Sequence, residues 1–393
     1  MRKTSELLFL LSISLLLFAC KKLENPIEPY QLPPNQGYEI AIGTEANEWA
    51  QSLNELNGNL FILASKVDSG SSNSNIQLIE VNVRGAVLNE YTYGSNHAEE
   101  ASKIIKTSDN NLLLLGWTKN TSTNAKNIWL SKVNSSGQVI WEKTYGGDQD
   151  DFANDIIELQ NGNYLITGAT TSYGEGSSDI YLLWIDSEGN VIQEKTHGAV
   201  DQDGGTQSIE LANNDLVTYG YTWNYGAVSR DYYLLKMNAN GDSLWSKRYG
   251  GADYEETQAF AMTNNGEFVL NGHSASTDSI HNMLGVKTDA NGNVIWQKDF
   301  GGPAHDGGMA FLINSRNEYV FVARSMSFEA NQNVFITITD SQGNIIKDLF
   351  IGESSEDMAN EIIEFEGYYY LVGRTTSYSS GDADVYLVRL AIN

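Results

Sequence analysis

Outside its first twenty residues the chain shows no helical periodicity. Its apolar residues gather in short strand-like runs set off by turns rich in glycine and asparagine. Four such runs, 155–159, 164–169, 180–185 and 191–196, follow one another in a representative stretch. Asn161-Gly162 joins the first pair and Glu188-Gly189-Asn190 the last, both hairpin signals because they supply residues that tolerate positive φ.

The pattern then repeats. With Gly146 as anchor, equivalent glycines stand at Gly43, Gly94, Gly198, Gly250, Gly301 and Gly352, spaced by 51 or 52 residues. Five residues after each anchor comes an acid: Glu48, Glu99, Asp151, Asp203, Glu255, Asp306 and Asp357. Two residues later comes a small residue: Ala50, Ala101, Ala153, Gly205, Thr257, Gly308 and Ala359. Asp or Asn precedes each third run: Asn75, Asn127, Asp179, Asp231, Asn282, Asn333 and Asp384. Seven units of four short antiparallel strands predict an all-β, seven-bladed β-propeller over residues 37–393. The small residues are expected where inner strands crowd the axis, and Trp141, Trp245 and Trp296 are expected to cover outer-strand packing. The last unit stops after its third run, and residues 38–42 align with outer strands such as 141–145. The N-terminal strand is therefore expected to complete the last blade and remove an open edge.

Residues 1–19 carry a different pattern. Arg2 and Lys3 precede an apolar run that ends at Leu17-Phe18-Ala19-Cys20. This length and flank suit a secretory signal and are too short for a spanning helix. The ending resembles a bacterial lipobox, which implies cleavage before Cys20, lipidation of that cysteine and a membrane anchor. Acyl chains contribute about 0.8 kcal/mol per buried CH₂. Residues 20–36 hold four of the five prolines and read as a tether, since proline cannot pair into a sheet interior. Lys21 departs from an inner-membrane retention signal, so the expected address is extracytoplasmic, at the outer membrane.

Composition narrows the function. A net charge of −26 argues against a nucleic-acid partner, and a single cysteine excludes a disulfide scaffold or Cys-rich zinc site. No nucleophile elbow, phosphate loop or Ser-His-Asp pattern is present, and no cofactor is expected. Between the second and third runs lie variable loops, which include 117–126, 169–178, 221–230, 273–281, 324–332 and 374–383. They are expected on the same face as the anchors. Their aromatic and polar residues suit a sugar or peptide, which makes Trp117, Tyr173, Trp223, Tyr225, His273, Phe328, Arg374 and Tyr378 the candidate ligand-binding set. The seven acids would form a cation site if all faced the channel. Such regular repetition instead favours carboxylates bonded to their own glycine turns. A zinc site from His97, His273 and His305 lacks any short ligand spacing.

Trp141-Glu142-Lys143-Thr144-Tyr145-Gly146-Gly147, Asp151-Phe152-Ala153, the run 162–168 and Asp179-Ile180-Tyr181-Leu182 resemble the bacterial seven-bladed β-propeller repeat family, the SBBP repeats. The resemblance covers residues 38–393 and implies an extracytoplasmic propeller. Unit one departs at Thr44, and unit six has Ala323 where others have Gly168 or Gly220. Asp289-Ala290-Asn291-Gly292-Asn293-Val294-Ile295-Trp296 resembles the turn of PQQ-type propellers, but reads here as a hairpin. The function expected is a lipid-anchored binding module for a glycan or envelope protein. An assembly scaffold, or a glycan-active enzyme with axial carboxylates, are the alternatives.

Overall fold

The computed structural model describes residues 37–94, 97–275, 281–328, 331–353 and 355–392. The signal segment, Cys20 and the tether lie outside these residues, as do 276–280 and 329–330 of two variable loops. Seven four-stranded antiparallel sheets form the blades of a propeller. Their inner strands, in chain order, are Asn47–Leu56, Glu99–Lys106, Asp151–Glu158, Asp203–Glu210, Tyr254–Met262, Asp306–Ile313 and Asp357–Phe365. Blade 7 takes its outer strand from the start of the chain: Gly37–Ile42 pairs with Asp384–Ala391, Gly37 opposite Leu390 and Ile42 opposite Val385.

Each inner strand begins at or just before the repeated acid. In blade 3 it starts at Asp151, four residues earlier than the apolar pattern suggests, because polar Asp151 and Asn154 already belong to the ladder. Every inner strand then carries a β-bulge two to four residues past the acid, for example between Ala153 and Asp155. A bulge re-aims the strand and raises its twist. It also explains the glycine opposite: a Cβ on Gly168 would lie 1.8 Å from the carbonyl oxygen of Phe152. Alanine takes this place in two blades, Ala64 opposite Ala50 in blade 1 and Ala323 opposite Gly308 in blade 6.

The core is made between blades, where the second and third strands of one blade pack on the next. Most of the small residues pack in this layer, while Ala101 and Thr257 also border the axial channel, so crowding between blades adds to crowding at the axis as the reason for their size. A Cβ on Gly205 would meet Thr167 Cγ2 of the preceding blade at 2.7 Å, and one on Gly308 the carbonyl of Gly272 at 2.2 Å. Backbone bonds stitch neighbours at the same level: Asp203 N donates to Ser178 O at 2.9 Å and Glu255 N to Arg230 O at 2.7 Å. The outer strands are stitched too. Tyr93, Tyr145 and Tyr249 each donate to a turn carbonyl of the next blade at 2.8 Å, and Trp141 and Trp296 donate through Nε1 at 3.1 and 3.2 Å.

Candidate functional site

The repeated acids are buried beside their anchor glycines. Asp151 accepts from Gly147 N at 2.7 Å, Ser172 Oγ at 2.8 Å and Thr170 Oγ1. Asp306 accepts from Gly302 N and Ser327 Oγ, both at 2.6 Å, and Asp357 from Glu353 N and Ser377 Oγ at 2.9 and 2.6 Å. Asp203 does the same with Ala199 N and Asn224 Nδ2. The glutamates reach hydroxyls instead: Glu48 to Thr44, Glu99 to Thr118, Glu255 to Ser274. Lys66 pairs with Glu48 at 3.2 Å. These carboxylates hold the turns that begin each blade. Among the described residues no set of three His, Cys, Asp or Glu side chains is arranged to hold a metal ion.

The axial channel is lined by the bulge residue and the residue after it in six blades and by Gln51 in blade 1, and has a volume of about 420 Å³. Much of its wall is internal stitching. Glu361 accepts from Ser52 Oγ, Leu53 N at 2.8 Å and Lys103 Nζ. Asp155 accepts from Ser208 N at 3.1 Å, Gln207 Oε1 from Phe260 N at 3.0 Å. Asn154 and Asn360 each donate to a carbonyl of the following blade at 2.8 Å. Burial opposes the charge of Lys103, but Glu361 and Asp155 outweigh it and hold its pKa above the ordinary value. Burial raises that of Asp155, with Lys103 and the Ser208 amide pulling the other way.

Chemistry left open lies at the loop-face mouth, on the sector where blades 4, 5 and 6 meet. It comes from one strand position, the residue after the second-strand glycine or, in blade 6, after Ala323: Tyr221, His273, Arg324 and, further round, Arg374. Tyr221, Arg230 and Glu256 line the channel here. The Arg230 guanidinium lies over the Tyr221 ring, 3.6 Å from its centroid, and donates to Tyr254 Oη at 2.7 Å. His273, which is 3 % exposed, meets Glu256 through Nε2 at 3.2 Å. That bond keeps Glu256 ionised, against its partial burial and with help from the charges of His273, Arg230 and Arg324. On the far side of His273 a second cavity of about 170 Å³ holds His281, His305 and Arg324. Neighbouring imidazole centroids are 5.2 Å apart. Burial, then the nearby charges of His273, His305 and Arg324, lower the pKa of His281.

Of the loop candidates, His273 reaches this mouth. The aromatics pack outward on their own blades: Tyr173 on Tyr181, Tyr225 stacked on Tyr233, Phe328 against Phe335 and Phe350, Tyr378 on Tyr386. Trp223 meets Tyr254 edge-on, Trp117 carries Lys126 Nζ 4.0 Å over its ring, and Arg374 stands on blade 7 opposite Met358. They form a ring of separate contacts and not one pocket. Tyr221, Arg230, Glu256, Arg324, Lys103, Asp155 and Glu361 were not legible as a set from the repeat, since none occupies a repeated residue type.

This geometry defines a seven-bladed β-propeller with a polar axial channel. No protein-family profile matches the chain. An alignment 137 residues long, covering 31 % of the chain, shows 25 % identity to the regulatory protein FlaEY of Caulobacter vibrioides and spans only 14 % of that protein. A Dyadobacter fermentans protein of unknown function is similar in structure, with TM-score 0.55 and 10 % identity over 91 % of this chain and 98 % of the other. The Pan2 WD40 domain of Neurospora crassa gives 0.55 and 14 % over 93 % and 98 %. The polysaccharide lyase Uly1 gives 0.54 and 10 % over 88 % and 90 %. At these identities the likeness is one of fold.

Proposed function

We propose that the protein is an extracytoplasmic binding module, held at the outer membrane by lipid on Cys20, that takes a glycan at the loop-face mouth of its channel. The observation that carries this reading is the channel itself. It offers about 420 Å³ of space walled by amide, hydroxyl and charged groups, with Tyr221 under Arg230 at its rim. Polar groups fixed on a rigid ring orient a hydroxylated ligand without a large ordering cost, and a rim aromatic offers a flat apolar face. A protein partner at the same face is the neighbouring reading. The axial carboxylates favour a binder over an enzyme, because Glu361 is engaged by Ser52, Leu53 and Lys103 within the fold.

The test is a glycan array probed with the protein, followed by titration calorimetry on any hit. Saturable binding that disappears when Gln258→Trp fills the channel supports the reading. A protein that binds no glycan, or binds equally well with the channel filled, overturns it. For the address, Cys20→Ser is expected to move the protein from the membrane to the soluble fraction. Continued sedimentation of that variant with membranes would refute the anchor.

A further inference from the structure

The mouth over blades 4 to 6 collects positive and potentially positive groups in a chain whose net charge is −26. Arg230 lines the axial channel on the blade 4 side, and Arg324 lines the smaller cavity beside it together with His273, His281 and His305. Among the described residues Glu256 is the carboxylate that pairs with this group, through His273. Neighbouring glycines keep the space clear. A methyl on Gly307 would lie 3.1 Å from Arg324 Nε and 3.7 Å from His273 Nδ1, so these two groups face one another across that glycine. A methyl on Gly204 would strike the Tyr221 ring at 2.5 Å, so its absence lets Tyr221 lie flat beneath Arg230.

Two polar atoms here lack a partner among the described residues: His273 Nδ1, on a side chain almost wholly buried, and Arg230 Nε. An unmade bond on a buried polar atom is costly, and such atoms in a cavity wall mark where a ligand atom would sit. Arg324 forms no ion pair among the described residues and is exposed. Guanidinium groups present paired N–H donors that match a carboxylate.

We propose that this mouth is a subsite for the carboxylate of an acidic glycan, a uronic-acid residue held by Arg324 with His273 Nδ1 on a ligand oxygen. The inference rests on the glycan-binding reading above and adds the class of sugar. A bare Nδ1 accepts from a sugar hydroxyl, and a protonated one donates to the carboxylate. Glu256 fixes the ring through Nε2. The −26 charge slows the approach of an anion at long range, so recognition depends on close contact and not on steering.

The experiment uses calorimetry with uronate tetrasaccharides of galacturonate, mannuronate and hyaluronan type, each beside its carboxyl-reduced neutral counterpart. One acidic member is expected to bind about tenfold or more tightly than its reduced form, the factor one charge-assisted contact supplies. Arg324→Gln should remove that preference, read as the ratio of the two affinities, and Arg324→Lys should restore part of it. Because Arg324 is exposed, the variant keeps its fold, and an unchanged melting temperature checks this. Equal binding of acidic and reduced forms overturns the carboxylate subsite and leaves glycan binding standing. Binding of neither form overturns both. Preference for the acidic form that survives Arg324→Gln places the carboxylate elsewhere and refutes this site.

Discussion

The hydroxyl of Tyr386 donates to the carboxylate of Glu39, 347 residues away in the chain. Tyr378 reaches the same carboxylate at 3.4 Å. Burial raises the pKa of Glu39, tempered by these two phenols. On the opposite face of the same strand, Ile42 packs with Val385, Leu387 and Ala50, and Tyr38 and Ile40 close over them. The closing strand thus fills the space between blades 7 and 1 with apolar groups and ties its other face by hydrogen bonds. It also covers the edge that Asp384–Ala391 would otherwise expose.

A chain beginning at Gly43 should therefore be markedly less stable. Losing the burial of Ile40 and Ile42 alone costs about 3 kcal/mol or more. Thermal denaturation should show a fall in Tm on the order of 5 °C or more, with new self-association through the bared edge. Equal melting temperatures and a monomeric species would contradict the role given to residues 37–42.

The repeated acids should behave as structural elements. Asp151→Asn and Asp306→Asn each weaken a charge-assisted bond to a turn amide and to a serine hydroxyl. Each is expected to cost about 1–3 kcal/mol, with ligand affinity unchanged in the protein that remains folded. Unaltered Tm together with lost binding would reassign these residues to a ligand site.

The frame of this molecule was legible because it is written seven times. The anchors, the acids and the small residues recur, and the alignment of residues 38–42 with outer strands foretold the closing strand. Recurrence marks what every blade needs, and so it conceals what one blade does alone. Tyr221, His273 and Arg324 occupy the same strand position as Ser65, Trp117 and Ala169, a column that varies freely. Lys103, Asp155 and Glu361 share another such column with Ser52, Gln207 and Ala259. Reading the variable columns for clustered charge would have found both groups. Nor does the sequence reveal which neighbours the loop aromatics rest on: Tyr225 lies against Tyr233, and Phe328 against Phe350.

Stability should fall as pH rises from about 5 to about 8. Burial, then a hydrogen bond shared with Asp231, pushes Glu255 from 4.5 up to about 8. The folded state then binds a proton that the unfolded state releases, so the contribution is fully present below about 4.5 and is lost as pH climbs through 8. Asp179 and Asp203 shift the same way through burial, so the wild-type slope is a sum. Glu255→Gln isolates one term: its Tm should decline less between pH 5 and 8.5 than that of the wild type, by at least about 1 kcal/mol of stability. Parallel Tm profiles for the two proteins would show that Glu255 carries no such proton.

Lys103 is the counter-charge for two carboxylates in the channel wall, Glu361 by direct contact and Asp155 by proximity. Removing one member of such a set leaves charge stranded in a poorly solvated place, which is worse than removing the set. Lys103→Met should cost about 3–5 kcal/mol in urea denaturation at pH 7. Adding Glu361→Gln and Asp155→Asn to that variant should recover much of the loss, because the amides keep bonds to Leu53 N and Ser208 N through their oxygens while shedding the charge. Acid should rescue the single variant in part, since protonating the stranded carboxylates neutralises them as pH falls toward 5. A triple variant no more stable than Lys103→Met would show that the lysine contributes packing in the channel and not charge.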